Sequence, residues 1–216
     1  MGGFLRFLIW AAIFVGVIVG GLRLLVVRWI WLPENDPVFT TSLQPSLEGG
    51  DLVLLQRLTT PDFGDLVLCP EPNYPERYVI ARIVGLPGDV LRIKDQAPEV
   101  NGKAFPFERM CNPNTIRYPH PAMPSEEVVQ QCYYEALASQ LVHKVGRVTG
   151  HKFTPGDRRY EVPEGHFFLV SDNRLFPYDS RDYGVVPIDS CKETVALRLV
   201  SKRGWTDVDK RMTLIQ

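Results

Sequence analysis

Residues 78–94 read YVIARIVGLPGDVLRIK, from Tyr78 to Lys94. Tyr78–Val84 is a short run rich in β-branched residues, as expected of a strand. Gly85-Leu86-Pro87-Gly88-Asp89 concentrates turn formers, with Gly88 and Asp89 setting the turn. Val90–Lys94 then alternates apolar and polar residues, the period of a half-buried strand. Strand, tight turn and strand make this part of the chain β.

The same pattern extends in both directions. Asp51–Arg57, Asp65–Cys69, Glu161-Val162, His166–Val170 and Thr194–Val200 read as further strands bounded by turn residues, and Asn101-Gly102 marks a hairpin. Prolines (18) and glycines (17) are spread through the 216 residues, which suits many short segments. One helix is expected over Ser125–Val142, capped by Ser125, with Val128, Val129, Cys132, Ala136 and Leu137 at helical spacing. The fold class is therefore mainly β (α+β).

Ahead of this lies an apolar N-terminus. Phe7–Leu22 carries no charge, and Leu5–Val27 reaches the roughly 20 residues needed to cross a bilayer core if Arg23 snorkels. Trp29 and Trp31 then fall where an interfacial aromatic belt would lie, and Pro33–Pro37 is expected to end the helix. A cleaved signal peptide would have a shorter apolar region and a small-x-small site beyond it, neither of which fits LRLLVVRWIW. The expected division is a membrane anchor with interfacial segment over 1–32 and a β-rich domain over 33–216. Charge does not settle the orientation: Arg6 and the amine lie on one side, Arg23 and Arg28 on the other, which slightly favours a cytoplasmic domain, whereas the four cysteines favour the opposite side.

Lys and Arg number 24 and Asp and Glu 25, which argues against a nucleic-acid partner. The four cysteines, Cys69, Cys111, Cys132 and Cys191, form no CxxC pair, so no structural metal site is expected. Cys111 and Cys132 flank a Pro-rich excursion and either bridge it or stay as buried thiols. Cys69 and Cys191 have no local reason to pair.

Three stretches remain. Thr40-Thr41-Ser42-Leu43-Gln44-Pro45-Ser46-Leu47, with Gly50-Asp51, resembles the Ser-Met-x-Pro-Thr-Leu box of type I signal peptidases. Arg77–Asp89 is similar to the box of that family that carries its lysine and ends Gly-x-Pro-Gly-Asp. Ser171–Pro187 is similar to its Gly-Asp-Asn-Arg … Asp-Ser-Arg … Gly-x-Val-Pro box. The order, the spacing and the N-terminal anchor agree with the resemblance. Residues 111–155 have no counterpart and read as an insertion.

The resemblance implies a membrane serine endopeptidase that removes signal peptides from exported preproteins. Its partners would be preprotein signal peptides and the lipid bilayer, without a cofactor; the oligomeric state is left open. It implies a bacterial inner-membrane location with the soluble domain on the extracytoplasmic side. Ser42 takes the nucleophile position and Thr40 that of an oxyanion-assisting hydroxyl. Arg82, Asp172, Asn173, Asp179, Ser180 and Arg181 are expected to support the site, with Arg82–Asp172 and Asp179–Arg181 as pairs. Leu43 and Pro45 would contact substrate or lipid, and Ser171, where the family has glycine, would be strained if its backbone needs positive φ.

One departure matters. The lysine position holds Ala81, which cannot accept a proton, and the orienting hydroxyl position holds Pro177. Arg82 stays protonated and is no substitute. Lys94, Lys103, Lys144 and Lys152 lie outside the boxes. Of His120, His143, His151 and His166, the last is nearest the third box in sequence. The reading expects residue 42 to face residue 81 across a peptide-sized groove. It leaves open a working peptidase with a relocated base, a pseudopeptidase that binds signal peptides or partner proteins without cleaving, and an envelope or pilus maturation factor.

Overall fold

A computed structural model describes residues 2–94, 96–105, 107–138, 141–148 and 158–215. His151 and Lys152 lie outside the described residues. In chain order the elements are α1 (Gly2–Leu25), β1 (Val27–Trp31), α2 (Pro37–Ser42), β2 (Leu52–Gln56), β3 (Leu66–Pro70), β4 (Tyr78–Gly85), β5 (Val90–Lys94), β6 (Ala97–Val100) and β7 (Lys103–Ala104). There follow β8 (Phe107–Pro119), β9 (Glu127–Ala138), β10 (Leu141–Arg147), β11 (Arg159–Glu161), β12 (His166–Val170), α3 (Ser180–Tyr183), β13 (Val186–Pro187), β14 (Glu193–Val200) and β15 (Thr213–Leu214).

The main sheet runs β1-β2-β14-β3-β4-β12-β13, with β15 on β14. A second sheet, β11-β5-β6-β7, continues from β4 through the turn read in the sequence. Gly88 there has φ +84°, a conformation that favours glycine, and Asp89 accepts the Leu86 N–H. Asn101 and Gly102 also sit at positive φ and close the β6–β7 hairpin. The strand alternation of β3 and β4 separates two cores. Leu66, Leu68 and Ile80 pack with Leu32, Phe39, Leu43 and Leu47 on one face. Val67, Cys69, Val79, Ala81 and Ile83 pack with Phe167, Leu169 and Val186 on the other.

Four expectations are corrected. Residues 125–138 and 141–142 are not a helix: β9 lies between β8 and β10 in a third, antiparallel sheet. Two neighbours complete its backbone hydrogen bonds, and Val128, Val129, Tyr133 and Tyr134 suit a pleated surface better than a helix. The described residues between 107 and 147 thus form a three-stranded sheet stapled by Cys111–Cys132. Cys69 and Cys191 are also bonded, because the antiparallel pairing of β3 with β14 carries residue 191 back to β3. Finally, α1 ends at Leu25 rather than at Pro33–Pro37, and Val27–Trp31, with Trp29 and Trp31, pairs with β2 as the edge strand of the main sheet. The anchor therefore joins the domain several residues before the expected boundary at 32.

The described part of α1 is unburied, and its Gly2–Arg23 span has a mean hydropathy of 2.2. It is long and apolar enough to cross a membrane.

Candidate active site

Ser42 sits at the C-terminal end of α2. Asp36 caps that helix by accepting the Phe39 N–H, and Pro37 occupies its first turn, where a missing N–H costs nothing. Ser42 is buried, and its Oγ donates to the Phe39 carbonyl at 2.8 Å. Thr40 donates its hydroxyl to the Asp36 carbonyl at 2.9 Å. Both hydroxyl protons are held by backbone oxygens of α2 itself.

Ala81 is fully buried. Its neighbour Ile80 packs with Phe39, Leu43 and Leu47, and Arg82 reaches Asp172, while Ala81 itself packs with Phe167, Leu169 and Val186. Adjacent strand residues point to opposite sides of a sheet, so residue 81 serves a different core from residue 80. Leu43, expected at the lipid surface, is a core residue at 3 % exposure beside Leu32 and Ile80. Pro45 is half-buried and follows a cis peptide bond.

The support residues form two groups. Arg82 grips Asp172 with two bonds of 3.0 Å and donates to the Gly64 carbonyl at 2.6 Å. Asn173 gives its N–H to the Ser42 carbonyl at 3.1 Å and its side-chain amide to the Thr41 carbonyl at 2.9 Å. It thereby holds two consecutive peptide units at the candidate nucleophile. Asp179 caps α3, accepts the Ser171 N–H and is paired with Arg181. Ser180 Oγ accepts the Leu169 N–H at 2.9 Å. Ser171 carries no positive φ, so the expected strain is absent; its hydroxyl bonds Tyr178 instead.

A second layer, unforeseen from the sequence, comes from the insertion. Gln130 donates to Asn173 Oδ1 at 2.9 Å, and Tyr118 meets the Asn173 amide at 3.0 Å. Glu135 accepts from Arg174 at 2.5 Å and lies 3.2 Å from His143 Nε2. His143 in turn lies 3.7 Å from Asp172, whose other oxygen accepts the Ser46 hydroxyl at 2.5 Å. His166, the histidine nearest the third box in sequence, is outside this cluster, with Nδ1 2.9 Å from the Glu164 carbonyl. No periodicity marks these residues. Glu135 and His143 meet only because β9 and β10 pair in that register.

Electrostatics follow from this packing. Burial pushes the Asp172 carboxyl up, but Arg82, His143 and the Ser46 hydroxyl together outweigh it and hold the pKa at about 2. Burial and the Arg82 charge press His143 below its ordinary range. Burial, with Arg198 and Lys210 nearby, lowers Lys144, which shares a cavity of about 180 Å³ with Ser46 and His143. Among the described residues, the contact shown by the Ser42 hydroxyl is the Phe39 carbonyl, which is not a base. Beside α2 lies a cleft of about 320 Å³ whose walls include Thr40, Thr41 and Gln44 from the first box and Tyr118 and His120 from the insertion. Among the described residues no cluster of His, Cys, Asp and Glu could hold a metal ion.

A family profile described as signal peptidase, peptidase S26 matches residues 6–200. A signal peptidase I of Bacillus caldolyticus is 31% identical over 187 residues, 84% of this chain and 84% of that protein. A signal peptidase I of Pseudomonas fluorescens is 28% identical over 178 residues, 74% of this chain and 58% of that protein. The chain thus spans about three fifths of the length of this relative, and the same share of its Pseudomonas aeruginosa counterpart. A crystal structure of a signal peptidase I from Enterococcus faecalis covers 63% of this chain and 97% of its own, at 21% identity and a TM-score of 0.40.

Proposed function

Because the chain belongs to the signal peptidase, peptidase S26 family, we propose that it is a membrane-anchored serine endopeptidase that removes signal peptides from exported preproteins. The observation that carries this reading is the retained serine at the candidate nucleophile position, its carbonyl held by Asn173 directly behind Thr40 and Thr41, which line a cleft of about 320 Å³. Ser42 would attack the scissile carbonyl and its own N–H would help hold the oxyanion. Thr40 would assist once its hydroxyl leaves the Asp36 carbonyl. Substrates would lie in the cleft beside α2, with Tyr118 and His120 of the insertion along one wall. Two disulfides support a soluble domain on the oxidising, extracytoplasmic side of a bacterial inner membrane.

A second reading is a pseudopeptidase that binds signal peptides without cleaving. It rests on the sequence: residue 81 is alanine, so no lysine base stands where the family has one. Serine catalysis without its base keeps only a small residue of rate, about 10³–10⁴-fold over water.

The test uses the full chain in detergent with a preprotein carrying an Ala-x-Ala site. Cleavage that disappears in Ser42→Ala supports the peptidase; retained binding with no cleavage by either chain supports the second reading. Ala81→Lys is expected to lower the unfolding midpoint and to add no cleavage, since the new ammonium would enter an apolar core. A gain of cleavage would mean that residue 81 reaches the site after all.

A further inference from the structure

On the edge of the main sheet where the anchor enters lies a cavity of about 700 Å³ that the peptidase reading leaves unused. Arg28, Arg57 and Lys192 line it, together with the carboxylates Glu193 and Asp189 and the exposed apolar Leu58. Glu193 is nearly buried and binds both guanidiniums at once: Arg28 at 3.1 Å, and Arg57 through a Nε bond of 2.7 Å. One carboxylate thus holds two arginines side by side. The Arg28 Nε donor, although buried, has no partner. Lys192 is exposed and makes no ion pair among the described residues. With three cations against two carboxylates, the lining is net positive by one charge.

The place of this cavity decides which anion it meets. Arg28 stands three residues beyond Leu25, where α1 ends, so it lies within about 10 Å of the end of the apolar span. With α1 across the bilayer, that distance falls in or next to the headgroup layer, which is roughly 5–8 Å deep on each side of the hydrocarbon. The anions at that depth are lipid phosphates. Glu193 holds the Arg57 fork through Nε and Nη2, so the donors offered to a phosphate oxygen are those of Arg28 beyond its single Glu193 contact and the Lys192 ammonium, and Leu58 is placed to meet acyl chain.

From this we infer that the cavity lined by Arg28, Arg57 and Lys192 binds the phosphate headgroup of an anionic phospholipid and seats the domain against the membrane. The inference rests on the anchor reading and not on hydrolysis. Alkaline carbonate extraction tests the anchor separately, since a chain released from membranes by carbonate would remove the anchor itself.

The full chain is reconstituted in nanodiscs of phosphatidylcholine containing phosphatidylglycerol, and the retained lipids are counted by native mass spectrometry after detergent release. The wild-type chain retains phosphatidylglycerol in preference to phosphatidylcholine. Lys192→Gln, an exposed site with no bearing on folding, lowers that preference about fivefold, as does Arg28→Gln, and the pair lowers it further. Equal retention by wild type and both variants overturns the proposal. So does a wild-type chain whose preference is abolished by millimolar inorganic phosphate, which would make the site a free-anion site.

Discussion

Asp172 is where the boxes and the insertion meet: Arg82 comes from β4, Ser46 from the loop after α2, and His143 from β10. Its pKa of about 2 lies below the ordinary 3.8, so its contribution to stability is complete above about pH 4. It is lost as the pH falls toward 2, and amounts to about 2 kcal/mol. His143 adds a separate window. Burial and Arg82 keep it neutral in the folded chain, so protonation favours the unfolded chain as the pH drops below 6.5. Urea midpoints at about pH 7.5, 5 and 3 should therefore fall in two steps, and His143→Gln should remove the first. Arg82→Met should cost about 3–5 kcal/mol at neutral pH, because it strands a buried carboxylate. A loss under about 1 kcal/mol would show that the Asp172 charge is solvated or shared elsewhere. The Arg82–Asp172 and Asp179–Arg181 pairs were legible from the boxes. The partners from Gln130, Glu135 and His143 were not, since no spacing within a strand reports its neighbour on another strand.

At the scale of elements, β1 carries the clearest consequence. It completes the edge of the main sheet and leads into Leu32, which is 2 % exposed in the first core. A chain beginning at Val26 should fold with a urea midpoint close to that of the intact protein in detergent. A chain beginning at Pro33 should lose about 3 kcal/mol or more through the missing ladder and the Leu32 cavity. Equal midpoints would mean that β1 belongs to the anchor and not to the sheet. The strands of the two larger cores were readable because their apolar residues recur at the pleat period. Segment 127–138 was not: its apolar residues fit a helical wheel as well as a ladder, and only the flanking strands β8 and β10 choose between them. The same holds for residues 27–31, whose apolar character suits a membrane helix until β2 offers a partner.

For the molecule as a whole, two covalent links close loops of very different length. Cys69–Cys191 spans 122 residues and Cys111–Cys132 spans 21. Loop-closure entropy gives about 5 and about 3 kcal/mol respectively. Replacing both cysteines of the first pair by alanine should therefore lower the unfolding midpoint more than replacing the second pair; the reverse order would contradict this. The long link ties β3 to the segment that leads into β14, while the short one joins β8 to β9 in the sheet that contributes Tyr118 to the cleft.

By itself the sequence determined that the chain is mainly β, that an apolar helix precedes the domain, and which three boxes surround the candidate serine. Those features are local, written in period, turn chemistry and motif. Tertiary structure alone decided that residue 81 packs in the core beside Phe167 and Leu169, that Leu43 is core, that residues 127–138 are a strand, and that Cys69 meets Cys191. Each of these depends on which strand lies beside which, and that is settled by long-range pairing and burial rather than by any neighbour along the chain.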